Sequence, residues 1–219
     1  MKTIFLHGFA TTPEVWHNQR PEFAPKLTFS DINAEARRVV GLMGGWVDRG
    51  AVLIGWSMGG MIAIQVAALA PDKIQALVLV STTPKFIKSD DYAFGVPVVL
   101  LKRLEKRIAR EGTKAFHDMI FKNGDRVGVE HLTIDEVEDE LKQLEIVDLR
   151  NNLPKIKCPT MIIHGDQDEI CLPGAAKYLQ KNIENSELVT FSGVGHIPMI
   201  ERPDEFNAQL ERFVKQHAG

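Results

Sequence analysis

One stretch of the chain, residues 51–69, constrains the fold more than any other. Residues 52–54 are apolar and predict a buried strand, whereas residues 61–69 predict a helix. Between them lies Gly-Trp-Ser-Met-Gly, residues 55–59, which has the pattern G-x-S-x-G. A strand, this motif and a helix in that order predict a sharp turn that lifts the hydroxyl of Ser57 above the end of a sheet. The motif alone is common by chance, so an incidental serine in a glycine-containing turn is the alternative interpretation.

Apolar segments that are typical of buried strands alternate with helical patterns along most of the chain. Strands are predicted at residues 3–6, 52–54, 76–80, 160–163 and 187–191, with a weaker sixth at 27–29. Helices are predicted at residues 33–46, 61–69, 173–183 and 203–215. Strands that are apolar throughout and alternate with helices indicate a parallel sheet covered on both faces. We therefore predict an α/β fold with a small, mostly parallel sheet of about six strands.

Residues 85–153 interrupt this alternation, because no strand pattern occurs there. Helical patterns occupy residues 98–110, 113–121 and 133–149. Thr133 and Glu136 predict a capping box at the start of the third of these helices. We therefore predict that residues 85–153 form a helical cap, inserted into a core formed by residues 1–84 and 154–219.

Length, charge and cysteine content exclude several classes of protein. The chain has 219 residues, 44% of them hydrophobic, which is enough for one sizeable core. Its net charge of −3 argues against a nucleic-acid partner. Cys158 and Cys171 fit neither a zinc spacing nor a disulfide framework, so a reducing cytoplasm is expected. No apolar run is long enough to cross a membrane, and His7-Gly8 ends the first apolar run too early for a signal peptide.

A serine in such a turn needs a base and an acid before it can act as a nucleophile. His196 follows the strand predicted at 187–191 in a glycine-rich loop, and Asp168 follows the strand predicted at 160–163. Because the carboxyl ends of parallel strands meet at one edge of a sheet, both side chains are expected near Ser57. The chain order Ser57, Asp168, His196 is also that of an α/β-hydrolase triad. We predict Ser57 as the nucleophile, His196 as the base and Asp168 as the acid that orients it.

Asp166 competes with Asp168 for the role of the orienting acid, because both follow the same strand in the segment Gly-Asp-Gln-Asp. The carboxylate must lie far enough past the turn to reach Nδ1 of His196. This requirement favours Asp168, and Asp166 is expected to cap the turn.

Two backbone N–H groups are expected to stabilise the negative charge that develops on the substrate. One belongs to Met58, which follows the nucleophile, and the other to Phe9, in the loop after the first strand. His7 in that loop is expected to order the loop rather than transfer a proton, and His164 is expected to be a packed or hydrogen-bonded core residue. No metal site is predicted, because the remaining histidines show no ligand spacing: His17, His117, His131 and His217.

Six segments of the chain match a known family. They are His7-Gly-Phe-Ala-Thr-Thr-Pro-Glu-Val-Trp16, Gly55-Trp-Ser-Met-Gly-Gly60, Gln75-Ala-Leu-Val-Leu-Val-Ser-Thr-Thr-Pro84, Val147-Asp-Leu-Arg150, Gly165-Asp-Gln-Asp168 and Gly195-His-Ile-Pro198. Through them the sequence resembles the α/β-hydrolase superfamily and, within it, the pimeloyl-[acyl-carrier protein] methyl ester esterases of biotin synthesis. Relative to that family, the usual N-terminal hairpin and an Asp-x-x-Gly-x-Gly-x-Ser loop are missing, which implies the smaller sheet.

The resemblance implies a serine carboxylesterase that uses no metal or organic cofactor. It also implies that Phe9, Trp56 and Phe116 touch the substrate, an ester such as pimeloyl-[acyl-carrier protein] methyl ester. Another acyl hydrolase on the same triad, such as a lactonase, thioesterase or perhydrolase, is one alternative. A non-catalytic small-ligand receptor on the same fold is the other.

Basic residues are concentrated in the first helix of the predicted cap. Residues 102–114 contain six lysines and arginines against two glutamates, a net charge of +4: Lys102, Arg103, Lys106, Arg107, Arg110, Lys114, Glu105 and Glu111. These cations are expected to lie away from the apolar face of the helix, which is formed by Leu101, Leu104 and Ile108.

Three interpretations of this basic cluster remain open. A solvated helix face is the commonest explanation for such a run. The acidic stretch at residues 130–145 could also pair with it inside the cap. The family resemblance implies instead that Arg103, Arg107 and Arg110 dock an acidic acyl-carrier protein.

Overall fold

Five parallel strands form the sheet in a computed structural model that describes residues 2–44, 50–122 and 126–217. The strands are β1 (Lys2–Leu6), β2 (Ala51–Trp56), β3 (Ile74–Val80), β4 (Thr160–Gly165) and β5 (Ser186–Phe191). They lie side by side in the order β1-β2-β3-β4-β5, and every neighbouring pair is parallel. All five carboxyl ends therefore meet at one edge of the sheet, which we call the carboxyl edge. The predicted α/β fold with a parallel sheet is confirmed.

Eight helices accompany the sheet in the described residues. They are α1 (Ile32–Met43), α2 (Met58–Leu69), α3 (Val98–Glu111), α4 (Lys114–Ile120), α5 (Ile134–Ile146), α6 (Pro173–Asn182), α7 (Pro198–Glu201) and α8 (Pro203–His217). Helix α2 packs on β2 and α1 packs on α2, while α6 and α8 contact β4 and β3. Every residue of β2 and β4 is buried, which explains why these strands are apolar throughout instead of alternating.

The inserted segment, residues 85–153, contains α3, α4 and α5 and lies between β3 and β4. The predicted capping box of α5 is confirmed, because Thr133 and Glu136 each bond the other's backbone N–H. The two ends of the segment lie together, since the Leu149 N–H donates to the Pro84 carbonyl at 2.8 Å. Ion pairs surround this junction, at 3.3 Å between Lys85 and Asp148 and at 2.8 Å between Arg150 and Asp91. The two ends of the segment are therefore fixed next to each other, at its base.

The weakly predicted strand at residues 27–29 is wrong, so the described sheet has five strands rather than about six. Distant side chains, rather than a neighbouring strand, accept the backbone N–H groups of this stretch. The Leu27 N–H donates to Nε2 of His7 at 2.9 Å, and the Phe29 N–H donates to Oε1 of Glu140 at 3.3 Å. On the edge of β1 that faces away from β2, the described residues form only an isolated parallel bridge, between Ile4 and Phe23.

Two further expectations concern helix ends and the membrane. Helix α1 ends at Met43, earlier than the predicted 33–46, and Trp46 lies outside the described residues. Across residues 2–44, 50–122 and 126–217, no helix combines the length and apolar character that a membrane span requires.

Candidate active site

Ser57 occupies the sharp turn between β2 and α2, at the carboxyl edge of the sheet. Its backbone has φ 55° and ψ −124°, a left-handed conformation that a residue other than glycine adopts only when its surroundings impose it. Two hydrogen bonds to the next strand impose it here. The Ser57 N–H donates to the Val80 carbonyl at 3.0 Å, and Oγ1 of Thr82 donates to the Ser57 carbonyl at 2.7 Å.

The glycines on either side of Ser57 allow backbones to pass closer than a side chain would permit. A Cβ on Gly59 would overlap the carbonyl oxygens of Leu6 and His7, which end β1 and begin its loop. A Cβ on Gly55 would overlap the first turn of α2. The motif therefore brings the start of α2 against the loop after β1.

His196 lies between Ser57 and Asp168. Its Nε2 is 3.0 Å from the Ser57 Oγ, and its Nδ1 is 2.9 Å from Oδ2 of Asp168. Nδ1 bonds a carboxylate, so it carries the proton, and Nε2 is left to accept the serine hydroxyl proton. All three side chains are at least nine-tenths buried, and they come from the ends of β2, β4 and β5.

Hydrogen-bond donors surround the carboxylate of Asp168. Its Oδ1 accepts the backbone N–H groups of Ile170 at 2.8 Å and Cys171 at 3.0 Å, and Oδ2 also lies 3.3 Å from Nε2 of His164. Burial opposes ionisation, but the charge interaction with His196 and the bonds from both histidines outweigh it. Together they hold the pKa of Asp168 well below its usual range. The carboxylate is therefore charged at neutral pH.

Asp166 makes a different set of contacts from Asp168. Its Oδ1 accepts the Gly193 N–H at 2.7 Å, and its Oδ2 accepts the Ser192 hydroxyl at 3.1 Å. The Gly193 N–H is the main cause that lowers the pKa of Asp166. Asp166 thus fastens the start of the loop that carries His196, and it is Asp168 that reaches the imidazole.

The loop after β1 orients the Phe9 amide. The Gly8 carbonyl accepts Nδ1–H of His7 at 3.0 Å and the Thr11 hydroxyl at 2.8 Å. In a trans peptide the next N–H points the opposite way, so these bonds turn the Phe9 N–H away from His7. Burial lowers the pKa of His7 to about 4, so its imidazole is neutral and orders the loop. Met58 is the first residue of α2, so its N–H has no partner within the helix.

A cavity of about 290 Å³ opens beside the Ser57 hydroxyl. Phe9 and Phe116 line it and pack edge to face, with ring centroids 5.1 Å apart. The remaining wall is mostly apolar, from the core and the inserted segment: Met58, Met61, Thr83, Phe86, Val96, Leu100, Leu101, Arg103, Leu104, Arg107, Met119, Leu141, Leu144, Glu169, Ile170 and Cys171. Such a cavity suits an apolar chain next to the hydroxyl.

Three residues lie elsewhere than the sequence predicts. Trp56 does not line the cavity: it is fully buried, donates Nε1–H to the His196 carbonyl at 2.8 Å, and packs on the His196 ring. Arg103 and Arg107 were expected away from the apolar face of α3, yet they border the cavity that Leu101 and Leu104 line. The aliphatic part of an arginine side chain can cover apolar surface while its charged end reaches water. An arginine beside the apolar face of a helix can therefore still border an apolar cavity.

Sequence reasoning missed several cavity residues because they come from the inserted segment, where no motif marks them. Ile170 and Cys171 carried a weak signal, since they follow Asp168 directly in the same loop. In the described ranges, no group of histidine, cysteine, aspartate and glutamate side chains has the arrangement of a metal site.

Comparison with known proteins places this chain in a family. The family model described as the alpha/beta hydrolase family matches residues 3–209. A pimeloyl-[acyl-carrier protein] methyl ester esterase of Nitrosospira multiformis is 32% identical over 97% of this chain and 94% of its own length. A protein of the same name from Nitrosomonas europaea is 31% identical over 69% of this chain and 66% of its own length.

Solved structures of other proteins share the fold. An esterase from Exiguobacterium antarcticum superimposes with a TM-score of 0.86 at 21% identity, over 98% of this chain and 92% of that one. An enol-lactonase from Burkholderia xenovorans superimposes with a TM-score of 0.79 at 21% identity, over 98% and 91% of the two chains. At this identity the likeness concerns the fold alone.

Proposed function

The chain belongs to the alpha/beta hydrolase family and is an ester hydrolase, and we propose that Ser57, His196 and Asp168 are its catalytic triad. One observation carries the proposal. A continuous line of hydrogen bonds runs from the Ser57 Oγ through His196 to Asp168, beside an apolar cavity. This arrangement lets an imidazole remove the proton of a hydroxyl that is otherwise a poor nucleophile.

The reaction has two halves. His196 accepts the hydroxyl proton while the Ser57 Oγ attacks the ester carbonyl, and the N–H groups of Phe9 and Met58 hold the resulting oxyanion. His196 then protonates the leaving alcohol, which leaves the acyl group on Ser57. A water molecule, deprotonated by His196, attacks this acyl-enzyme and releases the acid. The sequence of steps requires neither a metal nor an organic cofactor.

The proposed substrate is pimeloyl-[acyl-carrier protein] methyl ester, the compound in the names of the relatives. Two features of the cavity support it. Its wall, which includes Phe9 and Phe116, suits the methylene chain of a dicarboxylic acid. Arg103 borders the cavity and has no hydrogen bond or ion pair within the described ranges, so it is available to the polar far end of the substrate.

We also propose that residues 85–153 act as a cap and that α3 docks the carrier protein through Arg103, Arg107 and Arg110. Charge pairing inside the segment is incomplete, which supports docking. Arg107 and Arg110 share Glu111, and the Arg110 side chain is 75% exposed. The ion pair at 2.9 Å between Lys102 and Glu145 neutralises only one cation of the basic cluster. A cytoplasmic location stays a prediction from the two unpaired cysteines, Cys158 and Cys171.

A panel of methyl esters tests the substrate. Acids of graded chain length, with one or two carboxyl groups, are assayed free and linked to acyl-carrier protein. The expected result is the highest kcat/KM for the carrier-linked seven-carbon diacid. A preference for short free esters, with no gain from the carrier, would contradict the proposed substrate and indicate a general esterase.

Charge reversal on α3 tests docking. Arg110→Glu is the cleanest variant because Arg110, unlike Arg103 and Arg107, does not line the cavity. It is expected to raise KM for the carrier-linked ester roughly fivefold while the free ester is turned over as before. Lys157→Glu is the matched control, since Lys157 is an exposed cation just before β4, at the opposite edge of the sheet. Equal effects of Arg110→Glu on both esters would remove the docking proposal.

A further inference from the structure

His164 is a second histidine in contact with Asp168, besides His196. It is the penultimate residue of β4 and is 1% exposed. Its Nε2 lies 2.7 Å from the Cys171 carbonyl oxygen and 3.3 Å from Oδ2 of Asp168. Both neighbours are acceptors, so Nε2 carries the proton and shares it between them. Nδ1 has no hydrogen-bond partner in the described residues, as suits an unprotonated nitrogen in an apolar interior.

The hydrogen bond of His164 to Cys171 and its 3.3 Å contact with Asp168 close a ring around the turn that carries Asp168. The Cys171 N–H donates to Oδ1 of Asp168, and the carbonyl of the same residue accepts the proton of His164. The Asp168 N–H donates to the Gly165 carbonyl at 3.3 Å, next to His164 in β4. The position of the carboxylate is therefore tied to a side chain that projects from the sheet itself.

We propose that His164 is a positioning residue for ester hydrolysis: its Nε2–H holds the Asp168 carboxylate and the turn to Cys171 so that Asp168 can orient His196. This role rests on the proposed function, because it acts through the triad. The titratable groups that face His164 are Asp168 from the loop after β4, the buried Cys171 thiol, and His196 through Asp168. Removal of the Nε2–H takes one donor from Asp168 and loosens the turn.

Two substitutions at position 164 separate positioning from packing. His164→Leu keeps a buried apolar side chain but has no donor, whereas His164→Gln can place an amide N–H near the position of Nε2. His164→Leu is expected to lower kcat roughly tenfold with little change in KM, and to move the acid side of the kcat/KM profile to higher pH. The pH change follows because Asp168, with one donor fewer, exerts more of its charge on His196. His164→Gln is expected to recover most of kcat.

Thr160→Val is the matched control, because Thr160 is a buried polar residue at the other end of β4. It is expected to alter thermal stability but neither kcat nor the pH profile. Wild-type kcat and pH profile in His164→Leu would overturn the proposal. So would His164→Gln that folds normally yet is as slow as His164→Leu.

Nuclear magnetic resonance on the wild-type protein decides the matter even if both variants unfold. The ¹⁵N shifts of His164 are expected to show a proton on Nε2, and a ring protonated at Nδ1 alone would overturn the proposal. The hydrogen-bonded Nδ1 proton of His196 should also shift in His164→Leu. These signals do not depend on turnover, so they decide whether His164 holds Asp168 even if a wild-type protein that hydrolyses no ester removes the proposed function.

Discussion

The carboxyl edge of the sheet and the inserted segment face each other across the cavity, but different interactions hold them. At the carboxyl edge, Asp168 and His196 are each 3% exposed. Asp168 accepts the Ile170 N–H, and the His196 carbonyl accepts Nε1–H of Trp56. In the inserted segment, many polar contacts are ion pairs between half-exposed side chains, such as Lys114 with Asp118. Exposed pairs of this kind contribute about 0–1 kcal/mol each.

Because of this difference, the chemical step and the binding of the substrate should depend on different regions of the molecule. The reacting groups are fixed by buried hydrogen bonds that tolerate little displacement, so changes at the carboxyl edge should alter kcat. The inserted segment is fixed at its base, by the contacts of α5 with the core, and by backbone hydrogen bonds of residues 128–130 to the loop after β1. Changes there should alter stability or KM and leave the chemical step in place.

Ser57→Ala should have the largest effect and tests the carboxyl edge directly. The variant lacks the nucleophile, so kcat for a p-nitrophenyl ester should fall by roughly 10⁴-fold or more. Thermal unfolding should be close to wild type, because only one hydroxyl is removed. Turnover that survives the substitution would show that another group reacts with the ester.

Substitution of the two neighbouring carboxylates should give very different losses. Asp168→Asn is expected to lower kcat roughly 10²- to 10⁴-fold, since an amide cannot stabilise the same tautomer of His196. Asp166→Asn should stay within about fivefold of wild type, because an amide oxygen can still accept the Gly193 N–H. Steady-state kinetics on both variants compare them, and a larger loss at position 166 would contradict the assignment.

Glu140 offers the corresponding test in the inserted segment, through stability rather than rate. Its carboxyl is buried against the Phe29 N–H, and burial raises its pKa from 4.5 to about 7. The folded state therefore binds more protons than the unfolded state between about pH 4.5 and 7, and stability from this group falls as pH rises through that window. Glu140→Gln should thus be more stable than wild type by about 3 kcal/mol at pH 8, with much less difference at pH 4.5.

Thermal or urea unfolding at a series of pH values measures this difference. Glu138→Gln is the control, because Glu138 is an exposed neighbour on the same helix. A pH-independent difference between wild type and Glu140→Gln would contradict the account of the buried carboxyl.

Trp56→Phe should have a smaller effect on rate than Ser57→Ala or Asp168→Asn. It removes the N–H that the His196 carbonyl accepts, so the loop that carries the base loosens and kcat should fall about tenfold. Trp16→Phe is the matched control, since Trp16 is equally buried but its Nε1 has no hydrogen-bond partner among the described residues. Both variants should lose stability through packing. Equal losses of kcat would show that the hydrogen bond from Trp56 to His196 does not contribute to the rate.

The carboxyl edge could be predicted from the sequence because short-range rules determine it. Apolar runs locate the strands, and parallel strands bring residues that follow them to one edge, so Ser57, Asp168 and His196 were expected together. The spacing of Asp166 and Asp168 relative to β4 sufficed to favour the second. The direction of the Trp56 side chain was not predictable, because it depends on the loop of His196, 140 residues further along the chain.

The inserted segment could be predicted only in its local features. The helices and the capping box at Thr133 follow from spacing of a few residues. The bond from Phe29 to Glu140 joins residues 111 apart, and it displaced a strand expected at 27–29. The approach of Arg103 and Arg107 to the cavity likewise depends on how α3 packs, which its own sequence does not determine. The role of residues 85–153 as a cap stays a prediction.

Labelling with a fluorophosphonate probe tests the central claim most directly, namely that buried neighbours make the Ser57 hydroxyl a nucleophile. The intact protein is treated with the probe at neutral pH, digested, and mapped by mass spectrometry. We predict a single phosphonylated site at Ser57, formed quickly in wild type, far more slowly in Asp168→Asn, and blocked by a methyl ester substrate. A wild-type protein that leaves Ser57 unlabelled, or reacts at another residue, would contradict the claim and favour a non-catalytic receptor on the same fold.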